Sequence, residues 1–145
     1  MKPNVTLTVT SLLTILLLTF HLTGDIVRGF EKGGLSNLTA VPILVVWLYG
    51  TVVLAERRSG YIIILLGSLL ASVVPIIHMM GKGVGVASGI ANSSGGFFFV
   101  WTLIALGVTG LFSDILSVRG LWSLPWRRPL QAEGLTKAAS ASITN

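Results

Sequence analysis

Few side chains in this sequence can do chemistry, and they gather in two places. The first is His21-Leu-Thr-Gly-Asp25-Ile-Val-Arg28-Gly-Phe-Glu31, where a histidine, two carboxylates and an arginine follow a long apolar run. His78 and Lys82 close another such run. Two imidazoles with a carboxylate, either Asp25 or Glu31, make a ligand set for zinc or iron. Two imidazoles on facing helices also suit the axial positions of a b-type haem. The plainer chemistry is a hydrogen-bonded cap, with Asp25 paired to His21 one turn before it and to Arg28 three residues on. Buried polar groups need partners, and nothing in the spacing enforces a metal geometry. The cap is therefore the favoured reading of His21, Asp25, Arg28, His78 and Lys82. No cofactor is expected, with haem or a divalent metal on His21 and His78 as the alternative.

The second place holds Asp114, with Arg57, Arg58 and Arg119 as candidate partners. Asp114 falls within about a turn of the end of the last apolar run, so a structural ion pair accounts for it. A proton- or ion-coupled exporter needs a carboxylate deep in the bilayer, and the runs show no such acid and no inverted repeat. Hydrolytic chemistry lacks its signatures: there is no HExxH and no nucleophile elbow. With no cysteine in the chain, thiolate metal sites, iron–sulfur clusters and cysteine nucleophiles are excluded. The glycine-rich stretch 81–96 follows no strand and completes no phosphate-binding loop. It reads as a flexible loop.

The elements that must position these residues are membrane helices. The 145 residues are 52% hydrophobic and 10% charged, with mean hydropathy +0.86. Soluble domains carry about 25% charged residues, so the bilayer is the expected solvent. Four apolar runs, at about residues 5–24, 38–55, 61–80 and 97–118, each suit a hydrocarbon core of about 30 Å. Together they predict an all-α domain over residues 1–120, a four-helix antiparallel transmembrane bundle. Residues 121–145 are expected to be an interfacial anchor and a disordered tail. The first run has poor cleavage-site residues in Leu22-Thr23-Gly24 and is expected to be retained. Pro42 sits in a first helical turn, and Pro75 is expected to kink the third helix. The Asn-x-Ser/Thr triplets at Asn4, Asn37 and Asn92 carry no weight.

Four spans put Lys2, Arg57, Arg58, Arg119, Arg127, Arg128 and Lys137 on one side and Arg28, Lys32 and Lys82 on the other. The excess of basic residues predicts that both termini are cytoplasmic. Tyr61, Trp122 and Trp126 are expected in the inner aromatic belt, and Phe30, Phe97, Phe98, Phe99 and Trp101 in the outer one. Spacings of three and four give each helix one inward face. These faces are Thr10, Thr14, Leu17, His21, Asp25 and Arg28; Gly60, Ile64, Gly67, Ala71, Pro75 and His78; and Leu103, Gly107, Gly110, Asp114 and Ser117. On the second helix Tyr49 and Gly50 are the inward candidates. His21 and His78 should then meet at one end of the bundle.

The runs HLTGDIVRGFEKGGLSNL, ILVVWLYGTVVLAERRSGYIIILLGSLLASVVPIIHMMG and SSGGFFFVWTLIALGVTGLFS resemble a group of short integral membrane proteins of bacteria, over about residues 11–124. The resemblance implies a bacterial inner membrane and four helices, and no activity. The expected function is that of a non-enzymatic accessory, structural or interaction component. Its partners are the lipid bilayer and other membrane proteins or further copies of itself, and no nucleic acid. A small transporter, or a metal- or haem-binding redox component, is the alternative.

Overall fold

The computed structural model describes residues 5–29, 32–80 and 95–124. Among these residues the fold is all-helical: α1 (Val5–Val27), a 3-10 turn (Leu35–Thr39) running into α2 (Ala40–Val52), α3 (Arg58–Met80) and α4 (Gly96–Ser123). Four helices are long and apolar enough to cross a membrane, the second counted with its 3-10 turn as Leu35–Val52. Without that turn α2 has 13 residues, about 20 Å of helix. The turn adds about 10 Å and completes a span. Asn37 fixes its start by accepting from the Gly34 backbone N–H at 2.9 Å. The expectations for Lys2, Phe30, Glu31, Lys82, Asn92, Trp126 and the tail fall outside the described residues.

The surface is the reverse of a soluble protein's. Leucines, valines and isoleucines such as Leu66, Leu70, Ile77, Val108 and Ile115 point outward, while Ser11, Thr14, Thr51, Ser68, Ser113 and Ser117 are buried. Lipid offers no hydrophobic contrast to drive helices together, so small and hydroxyl-bearing residues take the contacts. Their spacing is regular. On α1 the buried residues Leu7, Ser11, Thr14, Leu18, His21 and Asp25 alternate by four and three. On α4 Gly96, Phe99, Leu103, Leu106, Gly110, Ser113, Ser117 and Gly120 do the same. This is the seam of a coiled-coil-like packing.

Around the bundle α1 touches α2 and α4, α3 touches α2 and α4, and α1 meets α3 across the diagonal. At one end Thr6 shares a cleft with Tyr61, Leu116, Arg119, Gly120 and Ser123. At the other end His21, His78 and Phe99 are in ring contact.

Three expectations are corrected. Tyr49 is half exposed, and Trp47 is the buried aromatic of α2. Its indole lies on Gly67, where any Cβ would collide with the ring. Tyr61, near the start of α3, is 5% exposed and packs on Gly120 in the same way, so its ring faces the core and not lipid. Helix α4 continues to Ser123, five residues beyond the expected end. Pro75 lies inside α3, which is one helix from Arg58 to Met80, and its ring faces Gly107.

Candidate functional site

Seam positions of α1 and the last turn of α3 bring His21, Asp25 and His78 together. Asp25 follows His21 by one turn, and their Oδ2 and Nε2 atoms are 3.4 Å apart. From α3, His78 Nε2 comes to 3.6 Å of the same Oδ2. The two imidazoles touch edge to face, with centroids 4.7 Å apart and planes at 77°. Phe99 of α4 covers both rings, at 5.4 Å from His21 and 5.7 Å from His78. His21 is 2% exposed and Asp25 5%, while the His78 side chain is 15% exposed, so the cluster is buried on the α1 side and reached from the surface at His78.

The hydrogen bonding defines the His78 ring. Its Nδ1 lies 2.9 Å from the Val74 carbonyl oxygen. A carbonyl can only accept, so Nδ1 carries the proton and donates. In the neutral ring Nε2 is then the lone-pair nitrogen, and it is the atom facing Asp25. His21 differs, since neither of its nitrogens has a hydrogen-bond partner among the described residues.

Arg28 does not join the cluster as the sequence suggested. Its Nη1 donates to the Gly95 carbonyl at 2.7 Å, and the guanidinium sits 5.9 Å from the Phe98 ring centroid, within cation–π range. Gly95 begins α4 with φ +94, a left-handed conformation that glycine adopts without strain. Arg28 thus ties the end of α1 to the start of α4. Lys82 lies outside the described residues.

The inner group is also rearranged. The Asp114 carboxylate lies 2.5 Å from Ser68 Oγ and 3.1 Å from Ser72 Oγ, hydroxyls whose single hydrogens are shared with the Ile64 and Ser68 carbonyls of α3, and it makes no ion pair among the described residues. Ser68 and Ser72 stand near the middle of α3. Arg57 and Arg58 are exposed at the start of that helix, about 15 Å from Ser68 at 1.5 Å per residue. Arg119 is exposed one turn beyond Asp114 and lines a surface cleft with it and Trp122. The physical reason is the length of α4: Asp114 lies nine residues before its end at Ser123, about 14 Å along the axis.

A third polar knot has no ionisable member and was not anticipated from the sequence. The Trp47 indole N–H donates to Ser11 Oγ at 3.0 Å. Ser11 and Thr51 share a hydroxyl–hydroxyl bond of 2.8 Å, and Thr51 donates to the Trp47 carbonyl at 2.9 Å. With Ser11 as donor to Thr51, the bonds form a closed relay in which every hydrogen is used once. A buried indole among small residues, read together with serine and threonine at matching depth on α1 and α2, was the available clue.

The His21–His78 contact also bears on haem. Axial imidazoles on opposite faces of one iron keep their nitrogens about 4 Å apart, in line through the metal. A porphyrin must lie between them. The two rings are in edge-to-face contact at 4.7 Å, so they would have to part for a porphyrin to enter. No protein-family model, curated protein or solved structure matches the chain.

Proposed function

We propose that this chain is a bacterial inner-membrane protein built as an antiparallel four-helix bundle with both termini in the cytoplasm. In this reading it is a non-enzymatic accessory, structural or interaction component. The observation that carries the functional reading is the Trp47–Ser11–Thr51 relay, in which interior polar groups are spent on joining helices. The cleft that Thr6 lines with Tyr61 and Ser123 at one end and the ring contacts of His21 with His78 and Phe99 at the other support the antiparallel order. The basic-residue count supports the orientation, and the resemblance supports the membrane. An accessory subunit should co-migrate with a larger assembly when membranes are extracted in mild detergent. Migration of the chain alone, at the size of one or two copies, refutes that role. Because the chain has no cysteine, single cysteines report sidedness without background. Glu56→Cys should react with an impermeant maleimide only in opened cells, and Ser36→Cys in intact ones; the reverse pattern overturns the orientation.

Asp114 favours a second reading, a small proton-coupled transporter. Its carboxylate meets the middle of α3, and ionisable groups at membrane depth mark ion pathways. In proteoliposomes with an internal pH dye, this reading predicts that Asp114→Asn abolishes a proton flux carried by the intact protein. An unchanged rate rules it out.

A further inference from the structure

We propose that His21, Asp25 and His78 form a binding site for a divalent first-row metal ion of the zinc class. The ligand atoms all lie within 4.8 Å of one another. Their separations are informative. Ligands about 2.0–2.1 Å from a tetrahedral ion stand about 3.3–3.4 Å apart. Neighbours around an octahedral ion at the same bond length are closer, about 2.8–3.0 Å. The His21–Asp25 separation is 3.4 Å and the His78–Asp25 separation 3.6 Å. Both are too long for good hydrogen bonds, which run at about 2.7–3.2 Å; the first matches a tetrahedral edge, the second is slightly longer, and the widest spacing in the set, up to 4.8 Å, must shorten by a small side-chain movement when an ion is bound.

The surroundings agree with this. His78 donates its Nδ1 proton to the Val74 carbonyl, the outer hydrogen bond that metal-ligating histidines use to turn the other nitrogen's lone pair toward the ion. That nitrogen faces Asp25 Oδ2 at 3.6 Å, so an imidazole nitrogen and a carboxylate oxygen are placed where one ion could be shared between them. His21 is buried with neither nitrogen hydrogen-bonded among the described residues, so its lone pair is available to a metal. The carboxylate supplies negative charge, and the last turns of α1 and α3 bring their negative dipole ends to the same region. Phe99, with Leu103, Val74 and Val100 packed around it, gives an apolar shell that strengthens the electrostatics. Two imidazoles and one carboxylate leave a fourth position open, as in zinc sites that bind water or a small ligand.

The proposal does not depend on the accessory role or on the orientation, and its test uses the full chain. The protein is purified in detergent through a tag without histidine, stripped with EDTA and dialysed against Zn2+. One zinc per chain is expected. Titration with Co2+ should give the intense visible bands of a tetrahedral ion, and Zn2+ should bleach them. His21→Ala, His78→Ala and Asp25→Asn should each weaken binding more than tenfold, while Asp114→Asn leaves it unchanged. If His21→Ala does not fold, His78→Gln, at the more exposed ligand, carries the same prediction, and zinc should raise the melting temperature of the wild type but not of that variant. Folded wild type that takes up no zinc overturns the site and leaves a proton-bridged cap. Undiminished binding in the His21→Ala/His78→Ala double variant overturns the ligand set. A weak octahedral Co2+ spectrum at full occupancy overturns the zinc class.

Discussion

The contact between Ser68 and Asp114 can be isolated by a double-mutant cycle. Ser68 Oγ lies 2.5 Å from Asp114 Oδ1 and also 2.6 Å from the Ile64 carbonyl oxygen. Ser68→Ala alone therefore removes a local contact along with the interhelical one. Asp114→Ala alone removes the Ser72 contact as well. Adding the double variant cancels both side effects and leaves the pairwise term. Transmembrane polar pairs average about 0.6 kcal/mol and reach about 1.7. Hydrogen bonds to charged groups in proteins run at about 1.5–3 kcal/mol. The short distance and the carboxylate acceptor put this pair near the upper membrane value, a coupling of about 1–1.7 kcal/mol. Reversible unfolding in mixed detergent micelles, followed by helical circular dichroism, gives the four stabilities. The Ser72–Asp114 pair, at 3.1 Å, should couple more weakly. A Ser68–Asp114 coupling below about 0.3 kcal/mol, the usual error of additivity, refutes the reasoning, because the carboxylate would then not be held by α3.

Glycine substitutions should separate packing from propensity. Gly67→Ala drives a Cβ into the Trp47 ring and should cost about 1–3 kcal/mol, whereas Gly24→Ala meets nothing within 4 Å and should be neutral or stabilising by up to about 1 kcal/mol; equal effects in the same unfolding assay would contradict the α2–α3 contact. Ser11→Ala strands the indole N–H, while Thr51 keeps its bond to the Trp47 carbonyl, and should cost about 1–3 kcal/mol, more than Thr19→Ala, whose hydroxyl bonds only its own helix at an exposed position. The reverse ranking would remove the relay. Asp25→Asn and Asp114→Asn should change stability additively to within about 0.5 kcal/mol, and a larger coupling would reveal a shared conformational change of the kind transport requires.

The sequence made the helices legible because a membrane span leaves little choice. Backbone groups in lipid must pair within their own segment, so four apolar runs become four helices. The inward faces of α1, α3 and α4 were readable for a related reason, since small residues and the rare ionisable groups avoid lipid together. That is why the meeting of His21 and His78 could be anticipated. Depth was less legible. The apolar run of α4 weakens near Val118, but the helix continues to Ser123 because Gly120 receives the Tyr61 ring. That contact belongs to α3 and is invisible on α4, and it moves Asp114 away from the helix end. The partner of Arg28 was hidden similarly. Asp25 is its neighbour along the chain, but the Gly95 carbonyl at the start of α4 is what it bonds. On α2, Trp47 and not Tyr49 turns inward because α3 offers Gly67 as a flat seat, and one helix's periodicity carries no record of another's gaps.

The two ionisable groups sit in different physical settings, and this separates the readings. Phe99, which covers the histidines, and Asp114 are fifteen residues apart on α4, about 22 Å along the axis. At that distance neither site can touch the other, and any coupling must pass through movement of α4 against α1 and α3. Asp114 meets Ser68 and, more weakly, Ser72 across the α3–α4 seam, which resists such movement. The histidine cluster is different in kind. Its contacts of 3.4 and 3.6 Å to the carboxylate are too long to lock the helices together as hydrogen bonds. A cation that draws His21, Asp25 and His78 inward would fasten α1 to α3 across the diagonal of the bundle, where they otherwise share few contacts.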